Sequence, residues 1–164
     1  MIREVFKICR VPLHTGDEPW IRSGWTRWKS METDYSLAER TYPQLEGTPL
    51  FAYSTYEQAC RYFSGQFSQR RVYRAKAEVW TGPKPGGIYS LAALGKHEVL
   101  DPRMTAQIVK ELWTTGKWRY PDSRHWSGHK GTILCNWIEL LEQLDQPPDI
   151  LQEGDRPLWT SAIS

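Results

Sequence analysis

The sequence lacks any long hydrophobic run. No apolar stretch approaches the roughly 18 residues that a membrane-spanning helix needs. The first ten residues, MIREVFKICR, place charges inside their apolar stretch, which a signal peptide does not do. We therefore expect a cytoplasmic protein with no membrane partner. Neither sign of charge is in large excess. The 21 Lys and Arg against 19 Asp and Glu leave a net charge of +2, which is too little to indicate nucleic-acid binding by itself.

Cysteine is scarce as well, and its three positions are widely separated: Cys9, Cys60 and Cys135. An odd number of distant cysteines argues against a disulfide framework and fits a reducing compartment. Apolar residues flank each of them, and none stands beside an obvious base. The sequence therefore predicts buried thiols and gives no support for a cysteine nucleophile.

Several short motifs of nucleotide-binding and hydrolytic proteins are missing. There is no Walker A sequence and no G-x-G-x-x-G, and the G-x-S-x-G turn of serine hydrolases is absent too. His125 and His129 have the spacing of two metal ligands on one helix turn. However, Ser127-Gly128 between them disfavours a helix, and no nearby carboxylate completes a site. We expect no metal.

Tryptophan is the residue that the sequence has in excess, with nine in 164 residues. Three of them, Trp20, Trp25 and Trp28, alternate with arginines in the segment DEPWIRSGWTRW. Indole and guanidinium groups together suit stacking on a planar ring and pairing with phosphate. The alternative is a long loop that its aromatic side chains hold against the core.

The patterning predicts one α+β domain over residues 1–146 and a C-terminal tail over 147–164. Period-two alternation predicts strands over 3–11, 48–54 and 70–80. Helical patterning predicts a helix over 55–65, one after Asp101-Pro102 with Met104, Ile108 and Leu112 on one face, and one over 132–145, while 31–40 could form a short helix. Residues 96–100 are expected to form a last short strand.

Three positions are the candidates for chemistry. Arg10 shares a strand face with Phe6 and Ile8, where a guanidinium needs a partner; it either reaches solvent at the strand end or holds an anion in a cleft. Ser54-Thr55 follows a strand and precedes a helix, so helix capping explains it as well as ligand binding does. Glu98 lies in a small apolar strand, where it is either catalytic or an ordinary edge carboxylate.

In this order, Arg10, Ser54-Thr55 and Glu98-Val99-Leu100 resemble the Arg, Ser-Thr-Ser and Glu motifs of the ADP-ribosyltransferase superfamily. The resemblance covers residues 3–101 and implies an α+β fold in which small antiparallel sheets surround a cleft for NAD. Tyr56 replaces the third motif residue. Lys96 stands where members that modify side chains or bases often carry Glu or Gln, so the acceptor is not identified.

The resemblance also implies roles for the candidate residues. Glu98 would be catalytic, since a carboxylate beside the ribose stabilises the oxocarbenium-like state formed when the nicotinamide bond breaks. The other positions would bind the NAD substrate: Arg10 its phosphate, Ser54 and Thr55 the ribose or the glutamate, and Trp25, Trp28 or Tyr53 a planar ring. The product would be an ADP-ribosylated macromolecule, protein or nucleic acid, or free ADP-ribose if NAD is only hydrolysed.

A non-enzymatic binding module is the alternative. The segments 20–28 and 118–130, both rich in tryptophan and arginine, could then form one surface. Such a surface suits a protein partner, because Trp and Arg dominate interface hot spots, or stacking on single-stranded nucleic acid.

Overall fold

The computed structural model describes residues 1–12, 16, 18–23, 32–62, 69–84, 102–119 and 130–144. Within these ranges the chain is α+β, with a mainly antiparallel sheet and two helices. The strands are β1 (Ile2–Arg10), β2 (Ile21–Ser23), β3 (Asp34–Tyr35), β4 (Arg40–Thr41), β5 (Leu50–Tyr53), β6 (Arg70–Val79) and β7 (Thr132–Gln143). The helices are α1 (Tyr56–Tyr62) and α2 (Pro102–Thr115).

Four of the strands close into a ring. β1 pairs antiparallel with β6 along its whole length and with β5 at Phe6 and Tyr53. β7 pairs antiparallel with both β5 and β6. β2 and β3 extend the sheet from the end of β1, and β4 extends it from β7. The resemblance implies several small sheets, whereas the described strands join in one seven-stranded sheet.

The main hydrophobic core fills the inside of this ring. Successive strand residues point to opposite faces, so alternate positions of all four strands meet in the interior. The buried members of this cluster are Val5, Cys9, Tyr35, Leu50, Ala52, Tyr73, Ala75, Ala77, Cys135, Ile138 and Leu140. The prediction of buried thiols is confirmed, because all three cysteines are free and buried.

The two helices cover the outside of the ring. Ala59 of α1 packs with Ile8, Tyr53 and Val72 on the outer face of β1, β5 and β6. Trp113 of α2 contacts the rings of Phe51 and Trp80 edge-on, with centroid distances of 6.0 and 6.1 Å. Both faces of β5 are therefore covered by other parts of the chain.

The buried stripe of α2 differs from the predicted one by one residue. Ile108 and Leu112 are buried as predicted, but Met104 is 43% exposed. Thr105, three residues before Ile108, takes the position in the core and is fully buried. Thr105, Ile108 and Leu112 follow the i, i+3, i+7 spacing. The helix was therefore predicted correctly, but its buried face is rotated relative to the predicted one.

The helix predicted over 132–145 is wrong, because these residues form β7. Two irregularities in the pairing with β6 produced the misleading pattern: each adds one residue to β7, one opposite Arg74/Ala75 and one opposite Glu78/Val79. The second bulge widens the step between the inward residues Cys135 and Ile138 from two to three. Apolar residues that are spaced by two and by three positions resemble the apolar face of an amphipathic helix.

The possible helix over 31–40 is also wrong in its described part. Asp34 and Tyr35 form β3 and pair with β2, and Arg40 begins β4 and pairs with β7. Between the strands, Ala38 has a left-handed φ of 60°, which turns the chain out of any helix. Pairing with strands on both sides outweighed the local helix preference of this segment.

The other predicted elements agree with the structure. The strands predicted over 3–11, 48–54 and 70–80 are confirmed as β1, β5 and β6, with small shifts at their ends. The helices predicted after Thr55 and Pro102 are confirmed as α1 and α2. The strand predicted over 96–100 and the tail over 147–164 lie outside the described residues.

Candidate functional site

Arg10 stands in the middle of three arginines that face one another across three strands. It is opposite Arg22 of β2 on one side and Arg70 of β6 on the other. Directly opposed residues of antiparallel strands project from the same face of the sheet, with Cβ atoms about 5 Å apart. Arg22, Arg10 and Arg70 therefore form a row on the outer face, and we call it the arginine row.

Two acceptors orient the Arg10 guanidinium. Its Nε donates to the backbone oxygen of Ser23 at 2.9 Å. Its Nη2 forms an ion pair with Oε2 of Glu32. The side chains of Arg10 and Glu32 are only 11% and 17% exposed, so this ion pair is largely shielded from water. The partner that a half-buried arginine requires is thus a carboxylate from the segment before β3.

Trp20, just before β2, places its indole ring beside the arginine row. The guanidinium carbon of Arg22 lies 4.5 Å from the ring centroid, and that of Arg10 lies 6.0 Å away. These distances allow cation–π attraction. A partly exposed indole next to two guanidinium groups combines a surface for ring stacking with hydrogen-bond donors for an anion.

Two carboxylates lie beside the arginine row. Glu32 also lies 3.6 Å from Arg22, whose Nε donates to Asp34 at 2.9 Å. Arg70, on the other side of Arg10, is only 4% exposed. Like charges directly opposite one another destabilise a sheet, and the carboxylates of Glu32 and Asp34 offset this repulsion at Arg10 and Arg22.

The structure does not bring Ser54 next to Arg10. Phe6 and Tyr53 face each other on antiparallel strands, with Arg10 four residues beyond Phe6 and Ser54 one residue beyond Tyr53. Because the two strands are antiparallel, Arg10 and Ser54 lie on opposite sides of that pair along the strand axis. About five residue rises, roughly 17 Å, therefore separate Arg10 and Ser54 along the strand axis.

The Ser54-Thr55 pair has a structural role at the start of α1. The Thr55 hydroxyl accepts a hydrogen bond from the Gln58 backbone N–H at 3.1 Å, which is the N-cap arrangement. The Ser54 N–H donates to the Gly131 carbonyl at 2.8 Å and fixes the end of β5 beside the turn before β7. Tyr53 is 7% exposed and packs under α1.

Glu98, Trp25 and Trp28 lie outside the described residues, as do His125 and His129. Their roles stay predictions. Among the residues that the structure does describe, no group of three or more His, Cys, Asp or Glu could hold a metal ion. The described helices are also too short or too polar to cross a bilayer.

Sequence reasoning did not assign a role in this site to four of its members. Trp20 and Arg22 lay in a segment already noted for its composition, but Glu32 lay in one that resembled a helix, and Arg70 in an ordinary strand. What joins them is strand register, which pairs residues separated by up to 60 positions, Arg10 with Arg70. A surplus of arginines at strand ends was the only signal available.

The inside of the ring holds a second group of titratable side chains. Lys7 is 7% exposed, and its Nζ donates to the Phe51 carbonyl at 2.5 Å. Burial lowers the pKa of Lys7, while it raises the pKa of the Cys9 and Cys135 thiols to about 12. Neither thiol is a thiolate at neutral pH, so neither of these two cysteines is a ready nucleophile.

Comparison with known proteins adds no relative to this picture. No family model matches the chain, and neither a curated protein nor a solved structure matches it. The resemblance to ADP-ribosyltransferases therefore stays a prediction, carried by the motif residues of this sequence.

Proposed function

We propose that this chain binds NAD and transfers its ADP-ribose group to a macromolecular acceptor, or hydrolyses NAD. One observation carries the proposal: the oriented guanidinium of Arg10 stands between Arg22 and Arg70, with the Trp20 ring 6.0 Å away. A dinucleotide offers both of the groups that such a place attracts, a diphosphate and planar rings. The described fold supports the proposal at the level of fold class, because it is α+β with a mainly antiparallel sheet.

In this proposal the candidate residues act on different parts of the NAD molecule. Arg10 binds the diphosphate, and Glu98 stabilises the positive charge that develops on the ribose as nicotinamide leaves. Ser54 lies roughly 17 Å from Arg10 along the strands, so the two would contact well-separated parts of an extended dinucleotide. Trp25 would stack on a ring. Tyr53 is largely covered by α1, which leaves it a supporting role.

Replacing the proposed catalytic acid tests the activity. We expect the wild-type chain to release nicotinamide from NAD, and Glu98→Gln to lower that rate by at least about 100-fold, since the carboxylate acts in the transition state. NAD affinity and thermal unfolding should stay close to wild type. Glu57→Gln, at an exposed acid of α1, is the matched control and should keep full activity.

A non-enzymatic binding module is the second candidate, and two observations favour it. The register separates Arg10 from Ser54, and the Thr55 hydroxyl is used as a helix cap. A wild-type chain that neither binds nor consumes NAD would exclude the enzyme. Loss of binding to a protein partner or single-stranded nucleic acid on Trp25→Ala or Trp126→Ala would then support the module.

A further inference from the structure

We infer that the ring of β1, β5, β6 and β7 opens where β1 meets β5, and that the side chain of Lys7 is a proton-sensitive latch across this contact. The described residues of β1 and β5 pair at one position, Phe6 with Tyr53, and we call this contact the seam. By comparison, β1 pairs with β6 along its whole length, and β5 pairs with β7 from Leu50 to Tyr53. The seam is therefore the weakest of the four strand contacts that close the ring.

Lys7 joins the two strands where their backbone pairing has ended. Beyond Phe6, the same edge of β1 takes a new partner, because Cys9 pairs with Ser23 of β2. Lys7 lies between these two pairs, and its Nζ donates to the carbonyl of Phe51 in β5 at 2.5 Å. A side chain, and not a second backbone pair, thus extends the contact across the seam.

The surroundings of this latch disfavour its charged form. Lys7 is 7% exposed, and burial lowers its pKa below the ordinary value of 10.5. The other described titratable or charged side chains on the inward faces of the strands around it are Arg3 and Cys9 of β1, Tyr35 of β3, Arg71 and Tyr73 of β6, and Cys135 of β7. None of them is a carboxylate, and the inward residues Leu50 and Ala52 of β5 are apolar. A proton on Lys7 therefore adds a charge that none of these groups balances.

Opening the seam removes this penalty. Water solvates the Lys7 ammonium in the open ring, so its pKa returns towards 10.5 and the open state binds the proton more tightly than the closed one. The open population should then rise as pH falls from 10.5 to the lowered pKa of the closed ring, by at most about tenfold per pH unit, and level off below it. The pairing of β1 with β6 and of β6 with β7 is kept in this motion.

Two buried thiols report the opening. Cys9 and Cys135 are 0% exposed and belong to the core inside the ring, so a water-soluble alkylating reagent reaches them when the ring opens or the chain unfolds. Labelling of the full chain with iodoacetamide from pH 7 to 10, read at each cysteine by peptide mass spectrometry, measures this access. Deprotonation of the thiols also speeds labelling as pH rises, but it does so with or without Lys7. The ratio of wild-type to variant rates therefore isolates the latch.

Lys7→Met is the test variant. We expect its Cys9 and Cys135 to be labelled more slowly than those of the wild type at pH 7, and the ratio of wild-type to variant rates to fall at least several-fold as the pH rises to 10. Lys76→Met is the matched control, since Lys76 lies on the outer face of β6 and pairs with Glu139. The ratio for this control should not change with pH. If Lys7→Met does not fold, Lys7→Gln, which also lacks the charge but keeps an N–H donor, takes its place.

Urea separates opening of the seam from unfolding. Labelling through the seam should depend little on low urea concentrations, because a local opening exposes less surface than unfolding does. The inference fails if labelling of both thiols follows the free energy and the urea dependence of global unfolding. It also fails if the ratio for Lys7→Met is flat or rises with pH. Neither result bears on NAD turnover, which Glu98→Gln tests separately.

Discussion

Two cations on β1 are taken out of water, and their surroundings differ. Arg10 points to the outer face, where it has a carboxylate and a backbone oxygen as partners. Lys7 points into the ring, where its Nζ donates to a backbone oxygen and lies 5.7 Å from the centre of the Tyr35 ring. Burying an ammonium is costly, and no carboxylate among the described residues pairs with Lys7, so its pKa is lowered in the folded chain.

This difference predicts how stability depends on Lys7 and on pH. Because burial lowers the Lys7 pKa in the folded chain below the value of 10.5 in the unfolded one, the unfolded chain holds more protons between the two values. The contribution of Lys7 to stability therefore rises with pH towards 10.5 and falls as pH decreases. Lys7→Met should stabilise the chain at neutral pH by about 1 to 3 kcal/mol, the scale of an incompletely compensated buried polar group, and should flatten this slope.

Urea denaturation from pH 7 to 10 measures both effects. Lys117→Met, at an exposed lysine, is the control and should change neither the midpoint nor the slope. A Lys7→Met chain that is less stable than wild type at neutral pH would show that the amine contributes a needed hydrogen bond to Phe51.

At the scale of elements, the strands and helices with ordinary patterning were predictable and β7 was not. β1, β5 and β6 alternate regularly, and α1 and α2 begin at capping signals, so local chemistry fixed them. β7 contains two bulges that only exist in its pairing with β6. The arginine row was beyond prediction for the same reason, because it follows from strand register and not from neighbouring residues.

Substitutions at the start of α1 distinguish a structural role of Thr55 from a ligand-binding role. Its hydroxyl caps the Gln58 N–H, so Thr55→Ala should destabilise the chain by about 1 kcal/mol. Ser54→Ala keeps the Ser54 backbone bond to Gly131 and should cost less. Chemical denaturation measures the difference. If Thr55→Ala leaves stability unchanged but weakens NAD binding, the residue belongs to the ligand site instead.

At the scale of the whole molecule, the closed ring predicts one cooperative unfolding unit, with edge strands that open more easily. β1, β5, β6 and β7 each have neighbours on both edges, so none of their paired amides can open without breaking the ring. β3 and β4 are two residues long, and each pairs with a single named strand.

Native-state hydrogen exchange should therefore show two classes of amide. Those paired in β1, β6 and β7 should exchange only by global unfolding, with the same free energy and the same denaturant dependence, because opening any one of them removes core contacts from the others. Amides of β3 and β4 should exchange through smaller, local openings that depend little on denaturant. Since β2 pairs with β1 at Arg10, which binds the diphosphate in the proposed function, exchange there should slow when NAD is added. A β7 that exchanged independently of β1 and β6 would show that the ring opens at its bulges, and the single cooperative unit would be wrong.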